Sequence, residues 1–399
     1  MAVALVLGGG APNLTLMAGA VAALSESGVK FDIVSASGAG MLIGLLYAAP
    51  KGTTASQALW QTVNMGVHDA IYDRFPVNYK VFFKPGPLAE FYTRYWQQMA
   101  QGRSEFEDLS RRWMESATET FFPGPALAPY RAMWKQFIGA AIPSAEAGDD
   151  TQRFLGDMAA LMLASLCPSD LSPASPGMCQ PAPFIDAVVD FSKLKDYPGE
   201  FYLNAYCIED RRMVLFRKDE IDREHFQAAL AFPFIYAPFK LNGKTYLEGA
   251  AQDTLNFKGL YEYRKDKDHP PIETIVVCDV LGMKELIGEP RSLHDAWVKS
   301  IVVPLVAVAE DDLKLFEKVH KGGIPRQFGR PDPKLLKIDF RSHMPKDHWP
   351  NVLDWSYSNL TTLYNVGYEA GKAFYEEHRN ALVPVAARPA RPGRPLTGT

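Results

Sequence analysis

Apolar residues along the chain fall into two alternating kinds of run, and their order predicts an α/β fold. Val3-Ala4-Leu5-Val6-Leu7 is a continuous apolar run that stops at Gly8-Gly9-Gly10. A short run of this kind, closed by glycine, reads as a strand covered on both faces. From Thr15 to Ser27 the apolar residues Met17, Ala20, Val21 and Leu24 share one helical face, and Gly28 ends the segment. Phe31-Asp32-Ile33-Val34 predicts a second strand. Ser35-Ala36-Ser37-Gly38-Ala39-Gly40 then makes a tight turn into a helix over 39–49, apolar nearly all round and therefore central. Two small-residue turns thus sit at the ends of successive strands, where an open α/β sheet places its chemistry.

The same reading continues downstream. Strands are predicted at 201–207 and 213–216, a hairpin over 241–247 around Asn242-Gly243, and a fully covered strand at 275–279. Long helices are expected over 293–320 and 352–378, with a strand at 336–340 between them. The aromatic-rich stretch 55–99 reads as a helical layer on the sheet, or else as a greasy acyl-chain pocket or an interface-facing surface. Residues 101–198 read as an insertion or cap, with helical pieces at 111–118, 132–141 and 151–166. Its proline-rich loop 167–183 is the least regular part of the chain.

Composition narrows the partners. The 399-residue chain is 47% hydrophobic and 22% charged with net charge −4, an ordinary balance for a soluble globular protein with a sizeable core. It carries no basic stripe, so no nucleic acid is expected. No leader is read at the N-terminus, and no apolar run reaches the roughly 20 residues a bilayer crossing needs. The expectation is a cytoplasmic protein with peripheral contact at the inner membrane. Cys207 and Cys278 lie in apolar runs and read as buried free thiols, and reduced thiols are expected at Cys167 and Cys179. No metal-ligand spacing and no cofactor motif is present.

Gly8, Gly9 and Gly10, between a strand and a helix, offer backbone N–H groups near the positive end of a helix dipole. Such a turn suits a phosphate or the oxyanion of an acyl-transfer intermediate. A dinucleotide loop would need a third glycine and a Walker loop a Gly-Lys-Ser/Thr; here Ala11-Pro12-Asn13 follows. The second turn has the small-x-Ser-x-small form of a nucleophile elbow, a strained strand-to-helix turn with no room for large neighbours.

With these motifs the chain resembles the bacterial patatin-like phospholipases over nearly its whole length. The resemblance rests on Leu5–Gly10, on the elbow, on 189–194 and 201–205, on Ala229–Pro238, on Asn242–Ala250, and on 360–363 with Gly367-Tyr368. It implies a three-layer α/β/α sandwich with a mostly parallel central sheet and a helical cap. The domain would span residues 1–385, with the cap at about 101–198 and a disordered Arg/Pro-rich tail at 386–399. It also implies a glycine-turn oxyanion hole at Gly8, Gly9 and Gly10, and a Ser–Asp dyad. An ungapped match over 31–44 places Gly38 where the nucleophilic serine belongs, and Glu248 matches the dyad aspartate.

Glycine at the elbow keeps the fold and deletes the nucleophile. A longer acid, one methylene out of place, can cost about 100-fold in rate. Three readings follow. The first is a degenerate member that binds lipid or acyl chains without Ser–Asp hydrolysis. The second is a lipid acyl hydrolase using Ser37 with Glu248 or Asp253. The third is a nucleotide-binding module on the Gly8–Gly10 turn. The simpler expectation is that Ser37 bonds local backbone and that Asp253 is solvated.

Overall fold

A computed structural model describes residues 2–10, 13–76, 78, 149–165, 177–179, 185–282, 289–290, 293–321, 333–345 and 354–382. The expected helices at 111–118 and 132–141, the aromatic stretch after residue 78, Cys167 and the C-terminal tail lie outside the described residues.

The ten described strands are β1 Ala2–Leu7, β2 Ile33–Ala36, β3 Gly177–Cys179, β4 Glu200–Cys207, β5 Arg212–Arg217, β6 Phe234–Tyr236, β7 Phe239–Leu241, β8 Lys244–Glu248, β9 Ile272–Cys278 and β10 Lys334–Lys337. The main sheet runs β10-β9-β1-β2-β4-β8-β7, with β5 also paired to β4. Its first five strands are parallel, and β5, β8 and β7 join antiparallel.

Alternation along β1 divides the interior. Val3, Leu5 and Leu7 point into one core with the helices α1 Leu14–Glu26 and α2 Gly40–Ala48 and the terminal helix Tyr357–Leu382. Ala2, Ala4 and Val6 point into the other, with residues of the helices Lys258–Lys265 and Leu293–Lys321. A sheet buried on both faces between helical layers is the three-layer α/β arrangement, and it explains why β1 reads as an unbroken apolar run.

The Asn-Gly turn forms as predicted, with Asn242 at φ 51° and Gly243 at φ 77°, the positive values a tight hairpin requires. Cys207 and Cys278 are free and buried. Three differences from the sequence pattern emerge, the first two with local causes. The terminal helix starts at Tyr357 because Asp354 accepts from the backbone and hydroxyl of Ser356 in a competing turn. The strand expected at 336–340 is Lys334–Lys337, since Asp339 turns the chain by accepting from the Arg341 and Ser342 amides. Within the proline-rich loop, Gly177–Cys179 pairs with Phe234–Tyr236 as a small parallel ladder. Among the described residues no helix is long and apolar enough to cross a membrane.

Strand length positions the site. One edge of β4 is taken by β5. The opposite edge is shared: β2 occupies it up to Ala36 opposite Leu203, and β8 arrives from the other direction and ends at Glu248 opposite Ala205. The short β2 and the antiparallel β8 therefore meet end to end, which delivers Glu248 to the turn that follows Ala36.

Candidate active site at the meeting of two glycine turns

The elbow begins where the Ser37 amide donates to the Leu7 carbonyl at 3.0 Å, holding the chain on the sheet's line. Gly38 then adopts φ +52°, the left-handed region that side chains rarely enter. Bonds from the Gly40 amide to the Ser37 carbonyl and from the Met41 amide to the Gly38 carbonyl start α2 at once. Gly40 makes this sharp entry fit. A Cβ there would lie 2.5 Å from the Gly8 carbonyl oxygen and 2.8 Å from the Leu7 carbonyl carbon, so the helix start rests directly on the first glycine turn.

That first turn is anchored by the Gly8 amide, which donates to the Cys278 carbonyl at 3.1 Å. Gly10 has φ +123° and packs against Val280 and Leu281. Asp279, buried at the end of β9, fixes that packing. Its Oδ1 accepts from the Leu281 and Gly282 amides, while its Oδ2 pairs with Lys337 Nζ at 2.7 Å. Among the described residues, the N–H groups of Gly9, Gly10, Gly38 and Ala39 make no hydrogen bond.

Glu248 completes the constellation. Its amide donates to the Ala231 carbonyl at 2.9 Å, which fixes the end of β8. A Cβ built on Gly38 would stand 2.6 Å from Glu248 Oε1, 2.8 Å from Ala250 Cβ and 3.1 Å from Gly9 Cα. The carboxyl of Glu248 therefore borders the space in which a side chain at position 38 would start. Glu248 is 8% exposed, and among the described residues its side chain has no hydrogen-bond partner. Burial pushes its pKa up to about 8, which favours the neutral carboxylic acid over the carboxylate.

Ser37 and Asp253 occupy a different layer. Ser37 is fully buried, and its hydroxyl donates to the Asp253 carbonyl at 2.8 Å. The partner is thus backbone, as expected, but 216 residues away rather than local. Asn204 Nδ2 donates to the same carbonyl at 2.9 Å, Asn256 Nδ2 to the Ala36 carbonyl at 3.2 Å, and Ser35 Oγ to the Asn256 carbonyl at 2.5 Å. These bonds fasten the loop 253–256 to the elbow strand. The expectation that Asp253 is solvated does not hold. It is 6% exposed and pairs with Lys258 Nζ at 2.7 Å. Burial raises its pKa and Lys258 opposes the rise. Asp312, on the helix Leu293–Lys321, accepts from the Leu255 amide and has its pKa pushed up to about 6, chiefly by burial.

The structure brings together Gly8, Gly9, Gly10, Gly38 and Glu248, as the motif order implies, and assigns Ser37 and Asp253 to the buried fastening beneath the elbow. Sequence reasoning missed Asn204, Asn256, Asp279 and Asp312. Two of these carried a signal: Asn204 is a lone amide within the apolar strand 201–207, and Asp279 follows an apolar strand at its carboxyl end. Among the described residues no group of three or more His, Cys, Asp or Glu side chains could hold a metal ion.

The family model described as Patatin-like phospholipase matches residues 5–261, a span containing both glycine turns, β8 and the loop 253–256. None of the curated proteins matches the chain. Among solved structures, VipD from Legionella pneumophila aligns over 94% of this chain and 67% of its own, with 12% identity and a TM-score of 0.40. Through the match over residues 5–261, the chain belongs to the patatin-like phospholipase family.

Proposed function

We propose that this patatin-like phospholipase domain binds lipid or acyl chains without hydrolysing them through a Ser–Asp dyad. One observation carries the reading: position 38 is a glycine in the strained conformation of an elbow, and Glu248 Oε1 lies 2.6 Å from where its side chain would begin. The two departures are complementary in size. Loss of a side chain at 38 leaves room for the longer acid at 248, and the longer acid leaves little room for a serine.

Ser37 with Glu248 or Asp253 draws less support. A nucleophile must reach an ester carbon, and the Ser37 hydroxyl is buried with its proton directed to a backbone carbonyl. Asp253 is buried against Lys258. A nucleotide site on Gly8–Gly10 has no further support in the sequence, which supplies neither a third glycine nor a phosphate-binding lysine after the turn.

The reading keeps a cytoplasmic location with peripheral membrane contact, testable by co-sedimentation with phospholipid vesicles. The binding function is tested by extracting and identifying lipid that co-purifies with the protein, alongside hydrolysis assays on lipid esters. Bound acyl lipid without turnover is the expected result. Ester hydrolysis at rates normal for lipid acyl hydrolases would overturn it.

A further inference from the structure

Resting on that non-hydrolysing reading, we propose that the site selects a free carboxylic acid over its ester, holding the carboxylate between Glu248 and the backbone N–H groups of the two glycine turns. The first observation is the set of unpaired donors: Gly9 and Gly10 on one turn, Gly38 and Ala39 at the start of the nine-residue helix α2. Donors clustered at a helix N-terminus favour an anion. The second is independent. Glu248 is 8% exposed, lacks a partner among the described residues, and points its Oε1 at the same turn.

A catalytic carboxylate here would repel an anionic ligand. Glu248 in its neutral form does the opposite, because its O–H donates to the ligand carboxylate in a short, charge-assisted bond. An ester carbonyl at the same place accepts only neutral hydrogen bonds, roughly half as strong. The groups packed around Glu248 are uncharged: Gly9, Gly38 and Ala250 at the turns and Ala205 across on β4. The nearby titratable groups, Asp253 in the following loop, Lys258 at the start of the helix Lys258–Lys265 and Asp312 on the helix Leu293–Lys321, contribute nothing to its shift, which comes from burial alone. No phosphate-binding lysine follows the Gly8–Gly10 turn, which favours a carboxylate over a phosphate. Among the described residues the side-chain amide of Asn13, buried just before α1, is likewise unpaired, three residues beyond Gly10.

The test is calorimetric titration of the full chain with dodecanoic acid, its methyl ester and inorganic phosphate, across the pH range spanning the Glu248 transition. The acid is expected to bind at least about tenfold more tightly than the ester near neutral pH, a difference of about 1.4 kcal/mol. Its affinity should fall about tenfold per pH unit once pH passes the Glu248 value. Glu248→Gln, which keeps a donor and cannot ionise, should retain acid binding and lose that pH dependence, while Glu248→Ala weakens it at every pH. Phosphate should neither bind nor compete. If the ester binds as well as the acid, if the wild-type affinity ignores pH, or if phosphate displaces the acid, the carboxylate assignment fails and the non-hydrolysing reading survives. If neither ligand binds, or the ester is cleaved, both fail together.

Discussion

Glu248 Oε1 lies 2.6 Å from the point at which a Cβ on Gly38 would begin, so these two residues divide one small volume between them. In the proposed reading the family's order of motifs is kept, and the bulk has moved from the elbow to the acid.

Restoring the serine alone is therefore expected to fail. Gly38→Ser places a Cβ within 2.8 Å of Ala250 Cβ as well as beside Glu248, on backbone at φ +52°. The expected cost is about 1–3 kcal/mol in urea unfolding, with no full recovery of ester hydrolysis. Adding Glu248→Asp removes the crowding methylene and should return part of that stability, giving a favourable coupling on the order of 1 kcal/mol in a double-mutant cycle. Strictly additive effects, or substantial hydrolysis by the single variant, would contradict the shared-volume relationship.

Stability should depend on pH through Glu248 in a definite direction. Its folded pKa of about 8 stands above the ordinary glutamate value of 4.5. The native state therefore binds more protons than the unfolded chain across that window, and stability falls as pH rises from about 5 to about 8. At one pKa unit per 1.36 kcal/mol, the loss is at most about 5 kcal/mol. Asp312, raised to about 6, adds to the slope at the acid end only. Glu248→Gln should flatten the upper part of the profile and unfold later than wild type near pH 8. Thermal unfolding across the range checks this, and an unchanged slope in the variant would remove Glu248 as its source.

Ser37→Ala tests the fastening beneath the elbow. The Asp253 carbonyl keeps the bond from Asn204 when it loses the Ser37 hydroxyl. The variant should lose about 1 kcal/mol in chemical denaturation and bind lipid as wild type does. Abolition of a measurable esterase activity by this substitution would instead make Ser37 a nucleophile.

Gly40→Ala tests the close approach of α2 to the first glycine turn. Its methyl would meet the backbone of Gly8 and Leu7 at 2.5–2.8 Å, atoms that cannot rotate away. A loss of about 3 kcal/mol or more is expected, visible as a lowered urea midpoint. Wild-type stability would show that the two turns are not in contact.

The two glycine turns, the central helix and the covered strands were legible because each is written locally, as an apolar run closed by small residues. Glu248 was legible as a motif position. What could not be read was where its carboxyl ends up, because that depends on β2 stopping at Ala36 while β8 continues along the same edge of β4. The positions of Ser37 and Asp253 were hidden for a similar reason. Both are set by bonds spanning more than 200 residues or by a salt bridge to Lys258, and a short motif carries no trace of either. Asp253 looked solvated because it sits in a loop, and its burial and its pairing with Lys258 are set by the folded chain.

Treatment of the purified wild-type chain with a fluorophosphonate probe bears most directly on the exchange between Gly38 and Glu248. A chain whose elbow lacks a usable serine should remain unlabelled, while the Gly38→Ser/Glu248→Asp double variant should take up the probe at residue 38. Labelling of the wild-type protein that disappears in Ser37→Ala would contradict this and return the site to serine hydrolysis.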